Sequence, residues 1–126
     1  MPSRSWFAKF RDAFCGIWLA VRGERSFAVH LPMALAVVIA AILLRVSLVE
    51  WCLLALCIAV VLAAEMLNTA LEQLAKEITD QHRPGIGAAL DMASGAVLVT
   101  AIGSAAVGGA IFVYRLGLLL GWWLST

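Results

Sequence analysis

Three long apolar runs constrain this chain more than any other feature. Residues 26–44 form a 19-residue stretch in which His30 is the one titratable side chain. Residues 51–74 form a second, interrupted by Glu65 and Glu72, and residues 92–114 form a third, 23 residues without a charge. About 20 residues carry a helix across a bilayer. A backbone amide in hydrocarbon must find its partner within the chain, so each run is expected to be an α-helix. Composition leaves no other solvent. Of 126 residues, 63% are hydrophobic and 13% charged, where a soluble domain carries about 45–50% and about 25%. A domain this small has too much surface to hide that excess, and a disordered chain is excluded as well. The expectation is one integral-membrane domain over residues 1–126, with spans at 26–44, 50–75 and 88–114.

The segment before the first run is different. In residues 5–23, Trp6, Phe7, Phe10, Phe14, Ile17, Trp18 and Val21 recur at helical spacing, with Arg4, Lys9, Arg11 and Asp12 around them. This pattern predicts an amphipathic helix lying in the membrane interface. The first apolar run is not expected to be a signal peptide, because the segment before it is long, charged and aromatic and no small-residue cleavage site follows. Basic residues set the orientation. Five stand in the first 25 residues, Arg45 alone in the first connection, and Lys76 and Arg83 in the second. Basic loops stay cytoplasmic, which predicts a cytoplasmic N-terminus, a first turn outside and a second inside. Trp122 and Trp123 suit the outer interface. Pro32 is expected in the first turn of its span, where a proline is tolerated. Arg83-Pro84-Gly85-Ile86-Gly87 reads as the second turn. Gly95, Gly103, Gly108 and Gly109 read as close-packing positions. Cys15, Cys52 and Cys57 lack metal-type spacing and read as small buried hydrophobes. There is no internal repeat. Nine Lys and Arg balance eight Asp and Glu without a basic stripe, so nucleic acid is not an expected partner.

The chemistry concentrates on the second span. Glu65, Asn68 and Glu72 lie at i, i+3 and i+7, which at about 100° per residue keeps all three within roughly 60° of arc. Thr69 stands beside them and Lys76 continues the stripe. Asp91 is expected to open the third span next to the same surface. Each acidic side chain within a spanning segment costs about 2.5–3.5 kcal/mol on insertion scales, so two on one face point to function. Hard carboxylate oxygens can hold Mg²⁺, which arrives with phosphates and keeps few protein ligands. A carboxylate with a raised pKa can also act as a general base. No Walker-type loop and no nucleophilic triad pattern is present. His30 and His82 each read as interface residues. On these residues alone, two classes stand open: a membrane enzyme using a divalent metal, and an ion-coupled transporter. Three helices are too few to enclose a path, so both need a homo-oligomer.

The stretch Glu65-Met-Leu-Asn68-Thr69-Ala-Leu-Glu72 resembles the signature of the bacterial integral-membrane diacylglycerol kinase and undecaprenol kinase family. Asp91-Met-Ala-Ser-Gly-Ala-Val-Leu resembles its third span. Phe10-Arg-Asp-Ala-Phe-Cys-Gly16 and Glu24-Arg-Ser-Phe-Ala-Val-His-Leu31 resemble its first two elements. The resemblance implies an all-α homotrimer in the bacterial cytoplasmic membrane, with shared sites at the inner interface. It implies ATP-dependent phosphorylation of a lipid alcohol with Mg²⁺. By that likeness Glu65 is the general base for the lipid hydroxyl. Glu24 and Glu72 hold metal and nucleotide, Asn68 and Asp91 join the nucleotide set, and Ser94 lies near the lipid. Arg22 and Arg25 flank Glu24 and are candidate triphosphate contacts.

The chain departs from the family pattern at four positions. Leu90 replaces a lysine before Asp91, Lys76 replaces an aspartate, Arg83 a histidine and Asp12 a tyrosine. Lys76 and Arg83 are the candidates to restore the missing cation, and Arg83 is therefore added to the nucleotide set. Diacylglycerol is the first expected substrate and undecaprenol the second, the Glu24–Leu31 segment looking more like the undecaprenol branch. Leu90 favours a third reading, a non-catalytic trimeric membrane protein.

Overall fold

The computed structural model describes residues 5–23 and 25–121, all helix and short connections. The elements are α1 (Trp6–Gly23), α2 (Arg25–Leu43), α3 (Leu48–Ile78) and α4 (Pro84–Leu120). Glu24, Trp122 and Trp123 lie outside the described residues, as does the side chain of Arg25.

Helix α1 begins at Ser5, whose hydroxyl accepts the Ala8 N–H at 3.2 Å, a side-chain N-cap. Its aromatic face is open: Trp6, Phe7, Phe10, Phe14 and Trp18 are all exposed, and Ala20 is its one buried residue. Lys9 lies over the Trp6 ring, 4.8 Å from its centroid. Such a helix has its apolar side available to lipid, as the spacing predicts.

Helices α3 and α4 are both long and apolar enough to cross a membrane, each holding an 18-residue stretch of mean hydropathy 2.2. At 1.5 Å per residue, 31 and 37 residues run about 46 and 55 Å, past a hydrocarbon core of about 30 Å. Their ends therefore reach polar surroundings, and this chain is a membrane protein.

The turn between α2 and α3 closes with a Schellman motif. The Val46 N–H bonds the Ala41 carbonyl and the Arg45 N–H the Ile42 carbonyl, both at 3.3 Å. Arg45 carries the left-handed conformation this requires, φ 53°, where glycine is usual. Val46 and Ala41 are buried together with Leu54 and Ile111, and Trp51 and Phe112 pack against them. Beside this cluster, Ser47 and Glu50 form a reciprocal capping box, 2.8 and 3.2 Å. Glu50 also accepts Nε of Arg115 at 2.7 Å and a second guanidinium N–H. This pair is how α4 carries Arg115 five residues before its end, a position whose role the sequence leaves open.

Several expectations need correction. Pro32 sits seven residues past the start of α2, inside the helix and not in its first turn. Its missing N–H deprives the Ala28 carbonyl of the usual partner, a defect membrane helices absorb with neighbouring groups. The second turn lies earlier than Arg83–Gly87, over residues 79–83. Pro84 is already the first residue of α4, its fixed φ suiting that position. The Gly87 N–H bonds the Arg83 carbonyl at 2.9 Å, so Gly85 and Gly87 are helical. Asp91 stands seven residues into α4. Of the four glycines read as packing positions, Gly108 has a neighbour at that distance, Leu54 at 3.8 Å from the position of a Cβ. At Gly95, Gly103 and Gly109 no atom of the described residues comes within 4 Å of that position, which leaves room there for a helix of another chain. Cys15 and Cys52 are exposed and Cys57 half-buried, all three free thiols. In a chain this apolar the outward faces are apolar too, so a hydrophobic cysteine need not be buried.

Candidate active site

Antiparallel packing of α3 on α4 assembles the polar residues. Asn68 lies ten residues before the end of α3 and Ser94 ten residues after the start of α4, so the two share a level. The Ser94 hydroxyl donates to Oδ1 of Asn68 at 3.5 Å, and Nδ2 of Asn68 donates to Oε1 of Glu72 at 3.0 Å. The chain Ser94–Asn68–Glu72 thus links the helices with a carboxylate at its end. It also fixes the amide: the oxygen faces the hydroxyl and the nitrogen the carboxylate.

Glu65, one turn deeper than Asn68 on the same face, is 4% exposed, and Asn68 and Thr69 are buried beside it. Nε2 of His30 on α2 stands 3.4 Å from Oε2 of Glu65. Sequence reasoning reads His30 as an interface residue and misses this contact. The two residues are 35 positions apart on different helices, and no periodicity within one helix relates them.

An apolar cavity of about 400 Å³ opens between α2, α3 and α4. Val61 and Leu62, one turn before Glu65, line it on α3, and Val29, His30 and Met33 line it on α2. It runs along the membrane-crossing helices to Leu54 and Phe112, with Ser104 among its few polar linings.

The remaining candidates stand around this centre. Asp91 is exposed on α4, one turn before Ser94 and near the level of Glu72. Lys76 is exposed one turn beyond Glu72, and Arg83 is exposed at the N-cap of α4, where its side chain makes no capping bond. Glu24, expected to share metal and nucleotide with Glu72, lies outside the described residues.

Among the described residues no group of three or more His, Cys, Asp and Glu side chains is placed to hold a metal ion. Mg²⁺ needs no such group, since it takes one or two carboxylates and draws other oxygens from phosphate and water. Glu72 fits such a role, with one oxygen held by Asn68 and the half-buried carboxylate free to present the other.

Comparison with known proteins places the chain in a family. The chain matches the family described as prokaryotic diacylglycerol kinase over residues 11–112, which takes in every residue of the polar chain, His30, Glu65 and Asp91. It is 41% identical over 111 residues to an undecaprenol kinase of Bacillus subtilis, covering 88% of this chain and 90% of that one. It is 36% identical over 105 residues to a diacylglycerol kinase of Synechocystis, covering 82% of this chain and 60% of that one. No solved structure matches it. A match that spans most of the chain and holds along nearly the full length of a relative leaves one conclusion: this protein belongs to the prokaryotic diacylglycerol kinase family.

Proposed function

We propose that this protein is a lipid kinase that transfers the γ-phosphoryl group of ATP to the hydroxyl of a membrane lipid alcohol. The observation that carries this reading is the buried Glu65 beside the Ser94–Asn68–Glu72 chain, at one end of an apolar cavity between membrane helices. Phosphoryl transfer needs positioning and charge neutralisation rather than a covalent nucleophile. Each part then has a task. The cavity takes the lipid chain, so that its hydroxyl comes to the polar end. Glu65 accepts the hydroxyl proton as the oxygen attacks phosphorus. Asn68 orients Glu72, and Ser94 anchors Asn68 from the facing helix. Asp91 and Arg83 complete the nucleotide side. Mg²⁺, held by Glu72 and by Glu24, would neutralise phosphate charge.

In this reading α2 is a third membrane crossing and α1 lies in the cytoplasmic interface. The N-terminus and the α3–α4 turn are cytoplasmic, where ATP is. The working unit in the bacterial inner membrane is a homotrimer. The family likeness and the outward apolar faces of α2, α3 and α4 support it. A polyprenol such as undecaprenol is the favoured substrate, because the likeness to an undecaprenol kinase covers nine-tenths of that relative. Diacylglycerol is the second reading, favoured by the likeness to a diacylglycerol kinase.

The test is transfer of label from γ-labelled ATP into the organic phase by purified protein in mixed micelles. Undecaprenol, diacylglycerol and no lipid are compared, with and without Mg²⁺. Label in the undecaprenol arm, dependent on Mg²⁺, is expected. Label in neither lipid arm would sink the kinase reading, and label in the diacylglycerol arm alone would reverse the substrate order.

A further inference from the structure

A carboxylate as buried as Glu65 is costly to ionise unless a donor reaches it. From another helix, His30 is placed to offer one, its Nε2 3.4 Å from Oε2. The ring also lines the apolar cavity. It therefore borders two neighbours: the space the lipid chain would fill, and the group that would take the lipid's proton. An ionised carboxylate can only accept hydrogen bonds, so the imidazole must be the donor. That requires a proton on Nε2. At 3.4 Å the contact is loose for a hydrogen bond, as catalytic contacts often are before substrate arrives.

We propose that His30 is a positioning residue for Glu65, holding Oε2 so that Oε1 is left to accept the proton of the lipid hydroxyl. This rests on the lipid-kinase reading above. In the step itself the lipid oxygen bonds to the γ-phosphorus of ATP. The bond from that phosphorus to the β–γ bridging oxygen breaks, its electron pair leaving on ADP, and the hydroxyl proton passes to Oε1 of Glu65. His30 forms and breaks no bond in the step. Its effect is on where the carboxylate stands, and misplacing a reacting group by about 1 Å can cost about 100-fold in rate.

Four full-length proteins in lipid micelles test this: wild type, His30→Gln, His30→Leu and Glu65→Gln. Glutamine keeps an N–H donor at similar reach, and leucine keeps bulk without one. The expected result is a fall in kcat of at least ~30-fold for His30→Leu, toward the cost of a misplaced group. The KM for ATP should stay within about twofold, since only an interaction of the transition state is lost. His30→Gln should recover most of the lost kcat. Equal kcat in wild type and His30→Leu, or equal loss in the glutamine and leucine variants, would overturn the proposal. Nitrogen NMR of the His30 ring in the wild-type protein gives a readout that does not depend on a variant folding. A proton on Nε2 that moves or exchanges faster in Glu65→Gln is expected, and a proton fixed on Nδ1 alone in both overturns the assignment. Glu65→Gln separates the two levels. If it is inactive while His30→Leu is normal, the positioning role alone fails. If Glu65→Gln turns over normally, the base assignment fails with it.

Discussion

Glu50 and Glu65 sit fifteen residues apart on α3, and the fold treats them in opposite ways. Glu50, at the α2–α3 turn, takes a backbone N–H from Ser47 and two guanidinium donors from Arg115 on a single oxygen. Glu65 is the more deeply buried, its side chain 5% exposed against 15%. Yet among the described residues it has one loose contact, from His30. Stability alone would reverse the allocation, because the deeper charge needs donors more. The difference separates two uses of a carboxylate in a membrane helix. At the α2–α3 turn one carboxylate oxygen gathers three donors and ties α3 to α4. Toward the α3–α4 turn, acceptors are kept available, which is what a proton acceptor and a phosphate-bound cation require.

The comparison can be pressed in order of effect. The largest loss is expected at Glu72. Glu72→Gln removes the charge while keeping the bond from Asn68, and should lower kcat/KM for MgATP by about 100-fold or more, on the scale of losing one group that stabilises transition-state charge. Titrating Mg²⁺ at fixed ATP checks it, and the apparent Tm should not move. Arg115→Met should do the reverse. It leaves Glu50 without its charged donors and should cost about 2 kcal/mol, read as a lower apparent Tm with turnover per folded protein unchanged.

Smaller effects are expected where the chain departs from its family. Leu90 offers no cation beside Asp91, and Lys76 and Arg83 are exposed on either side of the α3–α4 turn. Lys76→Ala or Arg83→Ala should raise the KM for ATP by about 3–10-fold, roughly 0.7–1.4 kcal/mol, with little change in that for lipid. Leu90→Lys should restore part of the loss, as residues sharing one electrostatic task couple. Nucleotide titrations of these proteins at fixed lipid decide it. The smallest effect belongs to the turn. Arg45→Gly relieves a left-handed residue that costs about 1 kcal/mol and should raise the apparent Tm slightly without touching activity.

What was legible in the sequence follows the range of each signal. The apolar runs over α3 and α4 and the face shared by Glu65, Asn68 and Glu72 lie within single helices, where a period of 3.6 residues makes them visible. The amphipathic α1 was readable for the same reason. The His30–Glu65 contact and the Glu50–Arg115 pair join residues 35 and 65 positions apart. Only the packed arrangement reveals them, since any spacing between helices is compatible with many registers. The error at Pro84–Gly87 has another origin. Proline and glycine mark turns and also helix starts, and the choice depended on the Gly87 N–H finding the Arg83 carbonyl. Pro32 was misplaced by counting alone: the apolar run and α2 begin within one residue of each other, and a first turn of 3.6 residues ends well before that proline.

The most direct test sets Glu65→Gln against Glu50→Gln in one preparation, reading label transfer from ATP to lipid and apparent Tm on the same samples. The expected result is crossed. Glu65→Gln loses at least ~100-fold in transfer, the scale of a general base, at an unchanged apparent Tm, while Glu50→Gln keeps its transfer rate and melts earlier. Wild-type transfer by Glu65→Gln across Mg²⁺ concentrations would contradict the account.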